Sequence, residues 1–161
     1  MLEKSASYKY YNVNDHNNFI DDCFPRAYAM VMDITWKEAY KEICKNSMEQ
    51  GYMMDTGIFV RKFLDKKFRR IPYDEVYIGE FAENHPIGKY LITTNNHITA
   101  CVNGYIIDTW NCTNEKIEYV WKVNWRVYPF LNGALDKLVQ VGLTANQSDI
   151  WAEQIRTSKL K

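Results

Sequence analysis

Cys23, His97 and Asp108 are three side chains that together can carry out nucleophilic catalysis. An ionised thiol attacks carbonyl carbon, an imidazole takes and returns the proton, and a carboxylate fixes the imidazole tautomer and stabilises the cation it becomes. Taken singly, each has a plainer reading. A lone cysteine is often a small buried side chain, a strand histidine is often structural, and an aspartate at a strand end often caps a turn. Their joint order and the elements that carry them give the catalytic reading its weight.

The histidine and the acid are positioned by a hairpin. Two β-branched and aromatic runs, 97–102 and 105–109, flank Asn103-Gly104, the dipeptide most typical of a two-residue β-turn. If those two residues form the loop, Val102 faces Tyr105, Thr99 faces Asp108 and His97 faces Trp110. Side chains alternate, so His97, Thr99, Cys101, Ile106, Asp108 and Trp110 share one face. His97 and Asp108 are then diagonal neighbours, close enough for one hydrogen bond.

The cysteine is positioned by a helix. Asp21 and Asp22 precede Cys23, and Phe24, Ala27, Met30 and Val31 follow at helical spacing, so a helix begins near Cys23 with the aspartates as cap. Pro25 fits a first turn, whose amides have no intrahelical acceptor. A thiol at this end feels the positive pole of the helix dipole, whereas the two aspartates oppose its ionisation unless they are engaged elsewhere. Arg26, one turn on, is suited either to hold a substrate carboxylate or to pair with Asp22.

Further helices are expected from the capping box Thr35–Glu38, carrying Trp36, Ala39, Tyr40, Ile43 and Cys44 on one face and ending before Gly51. Another is expected over about 57–67, with Ile58, Phe59, Phe63 and Leu64 inward. The basic run 66–70 reads as a solvated helix end. Strands are expected at 76–78, 89–94, 116–123 and 125–130, with a return to helical spacing over 132–160. Helices first and an antiparallel sheet afterwards predict an α+β fold.

Length and composition narrow the function classes. At 161 residues the chain fits one domain, with helices over about 20–70 and a sheet over about 72–130. Twenty basic and twenty acidic side chains give zero formal charge, which argues against a nonspecific nucleic-acid binder. No apolar run reaches the length of a membrane span, and the start of the chain lacks a signal-peptide core, so an intracellular protein is expected. Four cysteines at 23, 44, 101 and 112 match neither zinc-finger spacing nor a disulfide framework, and three histidines show no paired-ligand motif. Phosphate-binding glycine loops are absent. Neither a metal nor another cofactor is expected.

This order of elements resembles the papain-like cysteine peptidase superfamily, including the bacteriocin-processing peptidases. The matching segments are Asp22-Cys23-Phe24-Pro25, Asn96-His97-Ile98-Thr99-Ala100 and Asp108-Thr109-Trp110, within about 17–33 and 88–125. The last triplet is similar to the Asn-Ser-Trp of papain-type enzymes, and the resemblance implies that Trp110 shields the acid–imidazole contact. It also implies an oxyanion hole built from the Cys23 amide and a side-chain amide some six residues earlier. Asn17 stands there, with Asn18 beside it, where the family usually has Gln. The pattern looks like that of small bacteriophage proteins with a Cys-Pro-Arg-type helix start.

The expectation is a papain-like fold, with N-terminal helices on an antiparallel sheet, and a thiol enzyme acting on a protein or peptide substrate through an amide or acyl bond. The alternative is a catalytically weak or inactive papain-like scaffold that binds a host protein.

Overall fold

In the computed structural model, residues 7–16 and 20–123 are described. The expected strand at 125–130 and the helical segment at 132–160 lie outside them. The architecture is mixed α+β, with four helices and one six-stranded sheet.

The helices form where side-chain spacing and capping require. Helix α1 (Cys23–Met32) begins at the cysteine and ends at Asp33, which is in the left-handed conformation. Helix α2 (Trp36–Gln50) opens with the reciprocal Thr35–Glu38 capping box and ends at Gly51, φ +72°, a backbone angle that a side chain would strain. Helix α3 (Gly57–Lys67) is capped by the Thr56 hydroxyl, which accepts from the Phe59 amide. It turns Phe59, Val60, Phe63 and Leu64 inward, leaving Ile58 46% exposed. Ile58 was expected inside; the buried stripe is set by the 59/63 and 60/64 pairs, one position further round the helix.

The sheet has the order β1-β5-β4-β3-β6-β2, with strands Tyr8–Tyr10, Arg69–Arg70, Lys89–Thr93, Ile98–Val102, Tyr105–Asp108 and Tyr119–Val123 numbered in chain order. It is mixed, not purely antiparallel, because β1 runs parallel to β5 at one edge. Neither two- to three-residue edge strand has a period long enough to read from sequence. The basic run does leave its helix, as Arg69 and Arg70 pair with Lys122 and Trp121 of β6, yet both arginines stay exposed. The expected strand at 76–78 is replaced by a single bridge, Tyr77 to Lys116, and by helix α4 (Ile78–Asn84). Glu80 starts that helix by accepting the Val76 and Tyr77 amides, so a local carboxylate outweighs β propensity.

Alternation along the strands splits the interior in two. Leu91, Ala100 and Trp121 pack with Phe24, Tyr28, Phe59 and Phe63 of α1 and α3. Their neighbours Ile92, Cys101 and Val120 pack on the opposite face with Ile78 and Phe81 of α4. Strand β4, buried along its whole length, is therefore covered on both sides. Helix α1 lies across β4 and reaches β3 and β5, which brings its first residue to the end of the central hairpin.

Candidate active site

The β4–β5 hairpin has the register expected from Asn103-Gly104. Val102 pairs with Tyr105, Cys101 with Ile106 and Ala100 with Ile107. Both loop residues have positive φ, 50° and 77°, the geometry of a type I′ turn. His97 sits one residue ahead of β4 and Asp108 ends β5. The Nε2 atom of His97 lies 2.7 Å from Asp108 Oδ2, in the diagonal contact that the register requires. With Nε2 engaged by the acid, Nδ1 is the ring nitrogen left for a nucleophile.

The candidate thiol is Cys23 at the head of α1. Its half-buried thiol stands near enough to His97 and to the Ile98 backbone for both to favour the thiolate. Burial works to raise the thiol, but His97, the Ile98 backbone and the Arg26 charge outweigh it and bring Cys23 below its ordinary value. Burial likewise opposes the imidazolium, yet its hydrogen bond to Asp108 and the nearby Cys112 and Cys23 thiols push His97 up to about 11. Asp108, only 4% exposed, is held below the usual carboxylate range by His97 against the effect of its own burial. All three shifts favour a resting thiolate–imidazolium pair beside an ionised acid.

The aspartate preceding Cys23 does not act as the expected helix cap. Asp22 occupies the N-cap position but makes no side-chain cap bond. Its carboxylate is buried and accepts from Asn14 Nδ2 at 3.0 Å, Trp36 Nε1 at 2.9 Å and Arg26 Nε at 2.6 Å. The negative charge that opposes ionisation of Cys23 is thereby tied up. Arg26 completes the arrangement, with Nη1 donating to Asp108 Oδ1 and to Thr109 Oγ1, each at 2.9 Å. Of the two roles open to Arg26, the structure provides the ion pair and extends it to a second carboxylate. Arg26 is only 9% exposed, and its Nε and Nη1 are committed to these two carboxylates.

Trp110 is 43% exposed, and its ring centre lies 5.0 Å from that of His97, so it covers one side of the imidazole. Asn17 and Asn18 lie outside the described residues. Asn14, Trp36 and Cys112 were not expected at the site. Cys112 is fully buried, and its thiol approaches Asp108 Oδ2 at 3.8 Å. Its position four residues after Asp108 was the available signal, but the strand had ended and no periodicity linked the two.

His97, Asp108 and Cys112 offer ligand atoms within 4.8 Å of one another, a donor set that zinc accepts. On Asp108, however, Oδ1 is taken by Arg26 and the Thr109 amide, and Oδ2 by His97 and Cys112. The guanidinium already neutralises that carboxylate. The trio fits a hydrogen-bonded acid better than a metal centre.

A groove of about 680 Å³ runs between the β1–β5 edge and the α1–α2 junction, lined in part by Tyr10, Tyr11, Met30, Trp36 and Tyr105. Trp36 joins its wall to Asp22 and so to the head of α1. Among the described residues no helix is long and apolar enough to cross a membrane. No protein-family model, curated protein or solved structure matches the chain.

Proposed function

We propose that the protein is a papain-like thiol enzyme that cleaves or transfers an amide or acyl bond, with Cys23 as nucleophile, His97 as proton carrier and Asp108 as orienting acid. The observation that carries this reading is the engagement of His97 by Asp108 at Nε2, 2.7 Å, on the hairpin that meets the head of α1, where His97 and Arg26 both favour the Cys23 thiolate. A helix-start cysteine against a hairpin bearing histidine and acid supports the papain-like arrangement.

The chemistry follows from these positions. Cys23 Sγ attacks the carbonyl carbon, and the carbonyl electron pair moves to oxygen. The Cys23 main-chain N–H, in the first turn of α1, has no intrahelical acceptor and is a natural donor to that oxyanion. As the tetrahedral intermediate collapses, His97 gives its Nδ1 proton to the leaving group and a thioester remains on Cys23. Water, or a second nucleophile, then loses a proton to His97 and attacks the thioester, releasing acid or transferred product. Asp108 stays ionised throughout and holds the ring.

Alkylation of the full chain by iodoacetamide at pH 7, with each cysteine followed by peptide mass spectrometry, tests the reading. Cys23 should react at least tenfold faster than Cys44, the other half-buried thiol, and H97A should abolish that advantage. Equal rates at the two positions in the wild-type chain would overturn the enzyme reading and favour a protein-binding scaffold. A second arm follows acetyl transfer from p-nitrophenyl acetate, where the adduct should map to Cys23.

A further inference from the structure

We infer that Arg26 is a positioning residue of this site: its guanidinium locks the head of α1 to the end of β5 and presents the correct Asp108 oxygen to His97. The inference rests on the thiol reading above and adds to it a named device that sets the geometry.

The guanidinium is planar, with N–H groups in a fixed fork, so the directions of its bonds are coupled. Here Nε is fixed by Asp22, the residue beside the nucleophile, and Nη1 by Asp108 and Thr109 of the hairpin. One rigid group therefore relates the two halves of the site, which are 85 residues apart in sequence between Cys23 and Asp108. Displacing either carboxylate would break a buried ionic hydrogen bond, so the distance between Cys23 and His97 is not left to general packing.

The two oxygens of Asp108 are assigned different tasks. Arg26 Nη1 at 2.9 Å and the Thr109 amide at 2.7 Å both donate to Oδ1. That leaves Oδ2 aimed at His97 Nε2 at 2.7 Å, with the Cys112 thiol beside it. Without the guanidinium, the Thr109 amide alone is left on Oδ1, and the ring is oriented by a carboxylate that has lost its charged clamp. The titratable groups that interact with the guanidinium are Asp22 and Cys23 on the α1 side and Asp108 on β5, and His97 before β4 and Cys112 beyond β5 reach it through the other oxygen of Asp108. Among these, Asp22 and Asp108 bond it directly. Its positive charge also favours the Cys23 thiolate.

The test is the pH profile of Cys23 alkylation in the full chain, with Cys44 as internal reference and circular dichroism to confirm folding. In R26A the Cys23 midpoint should rise by about one pH unit and the rate at pH 7 should fall about tenfold. Added methylguanidinium should restore part of the loss and methylammonium should not, a distinction that a merely structural role would not produce. R26K keeps the charge without the fork and should fall between wild type and R26A. A folded R26A with the wild-type profile would overturn the inference. If R26A does not fold, R26K decides, because a wild-type profile in R26K would equally show the fork to be dispensable. Fast wild-type alkylation that no Arg26 substitution alters leaves the thiol reading standing and removes only this inference, whereas equal wild-type rates at Cys23 and Cys44 remove both.

Discussion

His97 precedes β4 and Asp108 closes β5, and the two meet as diagonal neighbours at 2.7 Å. The contact depends on a turn of two residues, since one more or one fewer would put the imidazole and the carboxylate on opposite faces of the sheet. In D108N the amide oxygen still accepts from Arg26, but no anion faces the ring. The imidazolium is less stabilised and supports the Cys23 thiolate less. The alkylation midpoint of Cys23 should rise by about one pH unit or more, and acyl transfer should fall by roughly 10²-fold or more. A folded D108N with wild-type kinetics would show that the carboxylate does not orient His97.

Much of this site was legible because the signals are local. Asn103-Gly104 marks the turn and the alternation of the strands agrees with the register it implies, while the spacing after Cys23 marks the helix start, so the placing of Cys23, His97 and Asp108 follows from short-range patterns. Thr35–Glu38 likewise fixes the start of α2. What escaped depends on partners distant in sequence. Strand β1 is three residues long and exists because β5 offers it an edge, and α4 replaces an expected strand because Glu80 captures two amides. Asp22 was read as a helix cap because capping is local, yet Asn14, Trp36 and Arg26 take its carboxylate. The embrace of Asp108 by Arg26 and Cys112 carried no periodic signal at all.

Buried Asp108 and half-buried His97 make stability depend on pH in opposite senses. Asp108 has a folded value below its unfolded 3.8, so its contribution is fully present above that value and is lost as pH falls through the folded one. His97 is raised from 6.5 to about 11, so its contribution is fully present below 6.5 and is lost as pH rises towards 11. Urea midpoints measured from pH 2 to 11 should therefore be highest between about 4 and 6.5. H97Q should flatten the alkaline decline and D108N the acid one. An unchanged alkaline slope in H97Q would exclude His97 as its source.

Asp22 and Arg26 form a buried ion pair whose members have few routes to water, with side chains 6% and 11% exposed. Removing Asp22 leaves Arg26 Nε without its acceptor, though Nη1 keeps Asp108, and also leaves the Trp36 indole N–H and the Asn14 amide without theirs. D22A should cost about 3–5 kcal/mol, read from urea unfolding. The double variant D22A/R26M removes both charges and should cost clearly less than the two single changes added together. Simple additivity would mean that the pair does not act as a unit.

Gly104 separates the stability of the hairpin from the chemistry it supports. Its φ is +77°, and a β-carbon there would lie 3.2 Å from both the Ala82 carbonyl oxygen and the Pro86 α-carbon, which are backbone atoms with little room to yield. G104A should therefore destabilise the fold by about 1–3 kcal/mol, combining backbone strain with that crowding. Register should nevertheless hold, because a one-residue slip would turn Ala100 and Cys101 towards the wrong cores. In the fraction that remains folded, His97 still faces Asp108, so the ratio of Cys23 to Cys44 alkylation should stay within about twofold of wild type. A lower urea midpoint with that ratio preserved is the expected pair of results. A collapsed ratio in folded protein would mean that the turn, and not the pattern of the strands, sets the register of the site.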